Sequence, residues 1–137
     1  MSTKRILIVD DEETLTFSMY QSFILEKGDY EIVTANSGEE ALEKLDSKKF
    51  DVAIVDIYLP GISGLDLIKE IKEKNPDTAI IVMSAYATMD KKDEALENGA
   101  LYFFEKPFDI KEVKKVVSKI LNPYLALRGG EGGGGKV

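Results

Sequence analysis

The sequence contains no cysteine and no histidine. Without cysteine there is no disulfide, no thiolate nucleophile and no thiolate metal site. Without histidine there is no Ser-His triad, no imidazole-bound zinc and no phosphohistidine donor. Chemistry must use Asp, Glu, Ser, Thr, Lys, Arg, Tyr or a bound ion. Long apolar runs are missing too. The first run, Ile6-Leu7-Ile8-Val9, follows Lys4-Arg5 and stops at Asp10-Asp11. That is shorter than the roughly 7–15 residues of a signal-peptide core. No stretch approaches the roughly 20 apolar residues of a membrane span. The expectation is a cytoplasmic protein with no membrane partner. Positive charge is in deficit: 25 acidic against 18 basic residues give a net charge of −7. Nucleic-acid binding depends on phosphate neutralisation, so this balance argues against direct DNA or RNA contact. It suits a cation or a basic partner, and equally plain solubility. With 137 residues and 44% hydrophobic content, the chain is sized for one domain with a real core.

The apolar runs that are present are short and rich in β-branched residues: Ile6–Val9, Ile32–Ala35, Val52–Val55, Ala79–Met83 and Leu101–Phe104. Each is too short for a helix and fits a buried strand. Amphipathic stretches lie between them. Leu15, Met19 and Phe23 recur at i+4, and Ala41, Leu42 and Leu45 mark a second helix. Leu65, Ile68 and Ile71 mark a third, and Ile110, Val113, Val117, Ile120 and Tyr124 a last one. The stretch 89–98 is weaker, with Ala95 and Leu96 as its apolar pair. Ser37 with Glu40, and Asp109 with Glu112, read as capping boxes. Gly28 and Gly99 stand where helices end in a left-handed residue. Asn75-Pro76 stops another helix, and Pro123 is expected to kink or interrupt the last. The order is β-α five times over, which predicts a parallel α/β sheet with helices on both faces. We expect one domain over residues 1–124. The glycine-rich remainder, 125–137, reads as a flexible tail, the start of a linker, or an expression remnant.

The strands end alike. The first stops at Asp10-Asp11, the third at Asp56, the fourth at Ser84 and the fifth at Lys106-Pro107. In an open parallel sheet all strand carboxyl ends share one edge, where ligands bind at the topological switch point. Three carboxylates, a hydroxyl and an ammonium would gather there. Two carboxylates ~5 Å apart repel by roughly 3 kcal/mol at an effective dielectric of 20. Such a cluster calls for protonation or a metal. Oxygen-only donors select a hard ion, with Mg²⁺ the best fit and Mn²⁺ a substitute. A carboxylate beside such an ion is a competent nucleophile toward phosphorus. Asp10-Asp11 also reads as a helix N-cap pair, Ser84 as a turn residue and Lys106 as a solvated loop lysine.

The motifs I-L-I-V-D-D at 6–11, D-I-Y-L-P-G-I-S-G at 56–64, V-M-S-A-Y at 82–86 and F-F-E-K-P-F at 103–108 together resemble the response-regulator receiver family over residues 4–122. The resemblance implies a doubly wound, flavodoxin-like (βα)5 sandwich with strand order 2-1-3-4-5. It implies Asp56 as phosphoacceptor, and a Mg²⁺ site of Asp10, Asp11, Asp56 and the Tyr58 carbonyl, with Asp11 bound directly and Asp10 through water. Lys106 would bind phosphate through a cis Lys106-Pro107 peptide, and Ser84 and Phe103 would be the switch pair. Many relatives carry Tyr where Phe103 stands, and Phe103 also reads as plain core. Tyr58 and Tyr86 fall where the family borders the phosphoryl group, so they are expected to restrict water or simply to form an aromatic rim. The implied partners are a sensor histidine kinase or phosphotransfer protein upstream, and an output domain or separate protein downstream. A homodimer through the fourth helix, fifth strand and fifth helix is a further expectation. Two other functions fit the pattern less well. A haloacid-dehalogenase-like phosphatase would need a second Asp where Tyr58 stands. A phosphorylation-independent scaffold would be favoured by loss of a pocket residue.

Overall fold

Every β-branched run becomes a strand and every amphipathic stretch a helix. The computed structural model describes residues 3–25, 30–86 and 88–122. In chain order these form β1 (Lys4–Val9), α1 (Glu13–Ile24), β2 (Tyr30–Ala35), α2 (Gly38–Ser47) and β3 (Val52–Asp56). Then follow α3 (Gly64–Lys74), β4 (Ala79–Ser84), α4 (Met89–Glu97), β5 (Ala100–Glu105) and α5 (Ile110–Leu121). The strands pair in parallel in the order β2-β1-β3-β4-β5, as the resemblance implied. Gly28, Pro123, Tyr124 and the tail 125–137 lie outside the described residues.

Alternation along each strand divides the core between two faces. Leu7, Val9, Ala53, Val55, Ile80 and Val82 pack with Leu45 of α2, Leu67, Ile68 and Ile71 of α3, and Ala95 of α4. Ile6, Ile8, Val52, Ile54, Ile81 and Met83 pack with Met19 and Phe23 of α1 and Val113 and Val117 of α5. The runs Ile6–Val9, Val52–Val55 and Ile80–Met83 are fully buried on both faces. Each large aliphatic side chain so buried is worth about 1.5–3 kcal/mol. The weak fourth helix is attached most lightly: Ala95 is its buried residue, and Leu96, the other member of its apolar pair, is 41% exposed. Leu96 follows Ala95 by one position, and adjacent helical residues do not share a face.

Gly99 follows α4 with φ +108°, and Asn75 closes α3, both as expected. The capping boxes are only half formed. Ser37 Oγ accepts from Glu40 N–H at 3.1 Å, but Glu40 Oε1 returns to Asn36 N–H, one residue earlier than a box requires. Asp109 accepts from Lys111 N–H at 2.9 Å, while the Glu112 carboxylate turns to Lys115. No helix among the described residues is long and apolar enough to cross a membrane.

At the edge of β2, Glu31 bridges Arg5 Nε at 3.0 Å and Lys48 Nζ at 2.9 Å. The Lys48 and Arg5 hydrogen bonds hold its carboxyl below the ordinary 4.5. A depressed carboxyl stabilises the fold above its unfolded-state value, and that help is lost as pH falls through the folded value. Thermal unfolding of Glu31→Gln should therefore show a small Tm deficit near neutrality that closes at pH below 4.5. A deficit that persists in acid contradicts the assignment.

Candidate functional site

The backbone ladder runs one residue past the strands, and this sets the functional side chains. Asp10 N–H donates to Ala35 O at 3.1 Å, Ile57 N–H to Met83 O at 3.0 Å, and Lys106 N–H to Ser84 O at 2.8 Å. These bonds extend the pairing of β1 with β2, of β3 with β4 and of β5 with β4 to the strand ends. A second pattern aims the side chains. Asp10 Oδ1 accepts from Glu12 N–H (2.8 Å), Asp56 Oδ1 from Tyr58 N–H (3.0 Å) and Ser84 Oγ from Tyr86 N–H (3.0 Å). Each is a short polar side chain bonded to the backbone two residues on, a turn that Asp and Ser form readily.

Lys106 closes the cluster. Its Nζ donates to Asp10 Oδ2 at 2.7 Å, Glu12 Oε1 at 2.7 Å and Asp56 Oδ2 at 2.9 Å. Asp10 is wholly buried and Asp56 is 4% exposed. Asp11 is exposed, yet it offers a carboxylate oxygen within 4.8 Å of oxygens from Asp10 and Asp56. Burial pushes the Asp10 carboxyl above its ordinary value, against the Lys106 bond and the Glu12 N–H, while the Asp56 charge adds to the rise. Burial works to lower the Lys106 ammonium, but its bonds to Asp10, Glu12 and Asp56 carry it above its ordinary value. Three carboxylates thus bond one ammonium, and a fourth, Asp11, stands beside Asp10 and Asp56; all offer hard oxygen donors. That donor set and that unbalanced charge fit a hard divalent cation better than a soft metal.

The loop beyond Asp56 closes tightly. Gly64 N–H donates to Ile57 O at 2.8 Å. A Cβ on Gly64 would collide with the Asp56 carbonyl oxygen and the Ile57 backbone, so only glycine admits this approach. On the rim, Tyr58 (43% exposed) and Tyr86 (69% exposed) meet edge to face, with centroids 5.5 Å apart. The Lys106-Pro107 peptide is cis, as expected. Beside it a cavity of about 390 Å³ is lined by Glu12, Leu15, Ala85, Lys106, Pro107 and Phe108. Phe103 is only partly buried, against the α2–α3 side of the core, and borders a second cavity with Thr88, Met89, Lys92 and Glu105.

The structure thus brings together Asp10, Asp11, Asp56 and Lys106, with Ser84 at the end of β4, the strand paired with β3. Asp10-Asp11 is not an N-cap pair: Glu12 is the cap residue of α1 and makes no side-chain cap bond. Its carboxylate goes to Lys106 instead. That contact was missed from sequence, although Glu12 directly follows the Asp10-Asp11 pair.

The family description "response regulator receiver domain" matches residues 6–118. The chain is 34% identical to sporulation initiation phosphotransferase F of Bacillus subtilis, covering 88% of this chain and 96% of that protein. It is 35% identical to the transcriptional regulatory protein ZraR of Klebsiella oxytoca, covering 85% of this chain but only 26% of that longer protein. Among solved structures, the response regulator TrrA of Thermotoga maritima, in complex with Mg²⁺ and BeF, is 40% identical with a TM-score of 0.75. That match covers 86% of this chain and 99% of the other.

Two stability outcomes follow from the packing. Burial raises Asp10, so its ionised form opposes folding at neutral pH. Asp10→Asn should raise Tm in metal-free buffer, and a lowered Tm would contradict the charge argument. Gly64→Ala should cost about 1–3 kcal/mol in denaturant unfolding, and a neutral result would mean that the loop relaxes freely.

Proposed function

The chain belongs to the response regulator receiver domain family, and from that premise we propose that it is the phosphoacceptor of a two-component relay, with Asp56 taking the phosphoryl group. The observation that carries this reading is the placement of Asp56. It ends the central strand, touches Lys106, and shares a cluster with Asp10 and Asp11. Asp10, Asp11, Asp56 and the Tyr58 carbonyl would hold Mg²⁺, or Mn²⁺ in its place. When bound, the ion supplies positive charge that offsets the repulsion of the acids and of the incoming phosphoryl oxygens.

The chain's own groups account for the rest. One oxygen of Asp56 is pinned by Tyr58 N–H and the other lies on Lys106, so the nucleophile is oriented. An oxygen of that carboxylate attacks phosphorus. The P–N bond of the donor phosphohistidine breaks, and its electron pair leaves on the imidazole nitrogen. The Lys106 ammonium follows the new negative charge onto a phosphoryl oxygen, as a point charge on a flexible stem does readily. Ser84 Oγ already accepts from Tyr86 N–H, and its own hydrogen donates to another phosphoryl oxygen. Catalysis here is positioning and charge neutralisation. The protein is a signalling module that carries out its own phosphorylation and dephosphorylation, not a turnover enzyme.

Phosphate on Asp56 then biases a two-state surface. Ser84 and Phe103 are the switch residues. The lightly held α4 is the element that such a bias moves most easily. Met89, Leu96, Leu101 and Tyr102 expose apolar surface there, fitting an output domain, a downstream protein or a second copy. The donor is a cytoplasmic sensor kinase or phosphotransfer protein.

Incubation with Mg²⁺ and acetyl phosphate should add one phosphoryl group by intact mass, absent in Asp56→Asn; labelling that survives in that variant sinks the assignment. The Tyr58–Tyr86 pair should shield the acyl phosphate from water. Tyr58→Asn should shorten the phospho-Asp lifetime, and an unchanged lifetime removes that role.

A further inference from the structure

We propose that Glu39, in the first turn of α2, is a positioning residue for the loop that follows Asp56. The inference rests on the phosphoacceptor reading and assigns a part to a helix that reading leaves out. The loop 57–63 carries Tyr58, whose N–H pins Asp56. Its two ends are held by Ile57 N–H on Met83 O and Gly64 N–H on Ile57 O. Its middle is held from outside. Glu39 Oε2 accepts from Ile62 N–H at 3.1 Å. Among the described residues this is the one hydrogen bond from another element to residues 59–62.

The loop is shaped to receive that carboxylate. Gly61 stands at φ +75°, and a Cβ there would sit 2.5 Å from Glu39 Oε2 and 2.8 Å from Oε1. The carboxylate therefore fills the place a side chain would take. Next to it, a Cβ on Gly38 would lie 3.0 Å from both the Ile62 carbonyl oxygen and Ile62 Cβ. The start of α2 thus meets Gly61-Ile62 with backbone from Gly38 and charge from Glu39. Ile62 itself is half-buried against the α2–α3 side of the core, so the clamp is seated on packed structure. A first-turn carboxylate also favours the helix it belongs to.

Release of the clamp would free residues 59–62 to shift. Tyr58 would then no longer be held with its N–H on Asp56, and its carbonyl would be less well placed to serve as a cation ligand. Glu39 does not touch the reacting atoms; it acts through Ile62. Outer groups that orient metal ligands commonly matter at the level of metal affinity.

The test is Mg²⁺ titration of the unphosphorylated full chain, read by tyrosine fluorescence, with Ile62 amide exchange followed by NMR. Glu39→Ala should weaken Mg²⁺ binding about tenfold and speed Ile62 exchange. Glu39→Gln keeps an acceptor oxygen and should stay close to wild type. Glu40→Ala removes the neighbouring bond to Asn36 N–H and loosens the start of α2 without touching the loop, so its Mg²⁺ affinity should hold. Unchanged affinity in Glu39→Ala overturns this inference alone, as does an equal loss in Glu40→Ala. A wild-type chain that binds no Mg²⁺ overturns the phosphoacceptor reading and this inference with it.

Discussion

One ammonium holds the carboxyl edge of the sheet together. Lys106 Nζ lies within 2.9 Å of oxygens from Asp10, Glu12 and Asp56, residues contributed by two different strand ends. Without it, buried carboxylates would face one another across a low-dielectric cleft, at a cost of several kcal/mol. With it, the cluster is tolerable but not neutral. The surplus of negative charge is the property from which the proposed cation binding and phosphoryl transfer would follow. Asp10 shows the tension directly: burial raises its carboxyl even though Lys106 pulls the other way.

That constraint needs the rest of the fold. Lys106 and Asp10 are 96 positions apart in sequence, and only a sheet with β1 and β3 adjacent and β4 beside them brings them together. The fully buried strands fix the spacing, and the ladder bonds past each strand end extend that rigidity to the side chains. The glycine at position 64 and the clamp from α2 then shape the loop behind Asp56. Burial is lightest at α4, where Ala95 is the one buried residue. A well-packed site beside a lightly buried helix suits the proposed switch, since local stability is uneven where motion is required.

Much of this was legible in the sequence. Short β-branched runs identify strands, and those at 6–9, 52–55 and 80–83 are buried as expected. The runs 32–35 and 101–104 fall on the edge strands β2 and β5 and are not fully buried, with Leu101 54% and Tyr102 41% exposed. Their polar terminators, Asp10, Asp56, Ser84 and Lys106, mark the ligand edge because parallel strands share one direction. Strand order came from the resemblance, since alternation alone leaves it open. Glu12 and Glu39 were not legible as they stand. Both are acids among 25 acidic residues, and their partners are distant in sequence or on the backbone. The half-formed caps at Ser37 and Asp109 show a similar limit. The residue spacing is right, but the Glu side chains choose between nearly equal local partners. Of the apolar pair in α4, Leu96 lies one position from Ala95 and stays exposed.

A crystal structure of this chain grown with Mg²⁺ and beryllofluoride tests the site most directly. The predicted result is the fluoride group on an Asp56 oxygen, with Mg²⁺ against Asp10, Asp11, Asp56 and the Tyr58 carbonyl, and Lys106 Nζ moved from Asp56 onto a fluorine. Beryllofluoride on a different carboxylate, or Mg²⁺ bound away from this cluster while Lys106 keeps its three present partners, would contradict it.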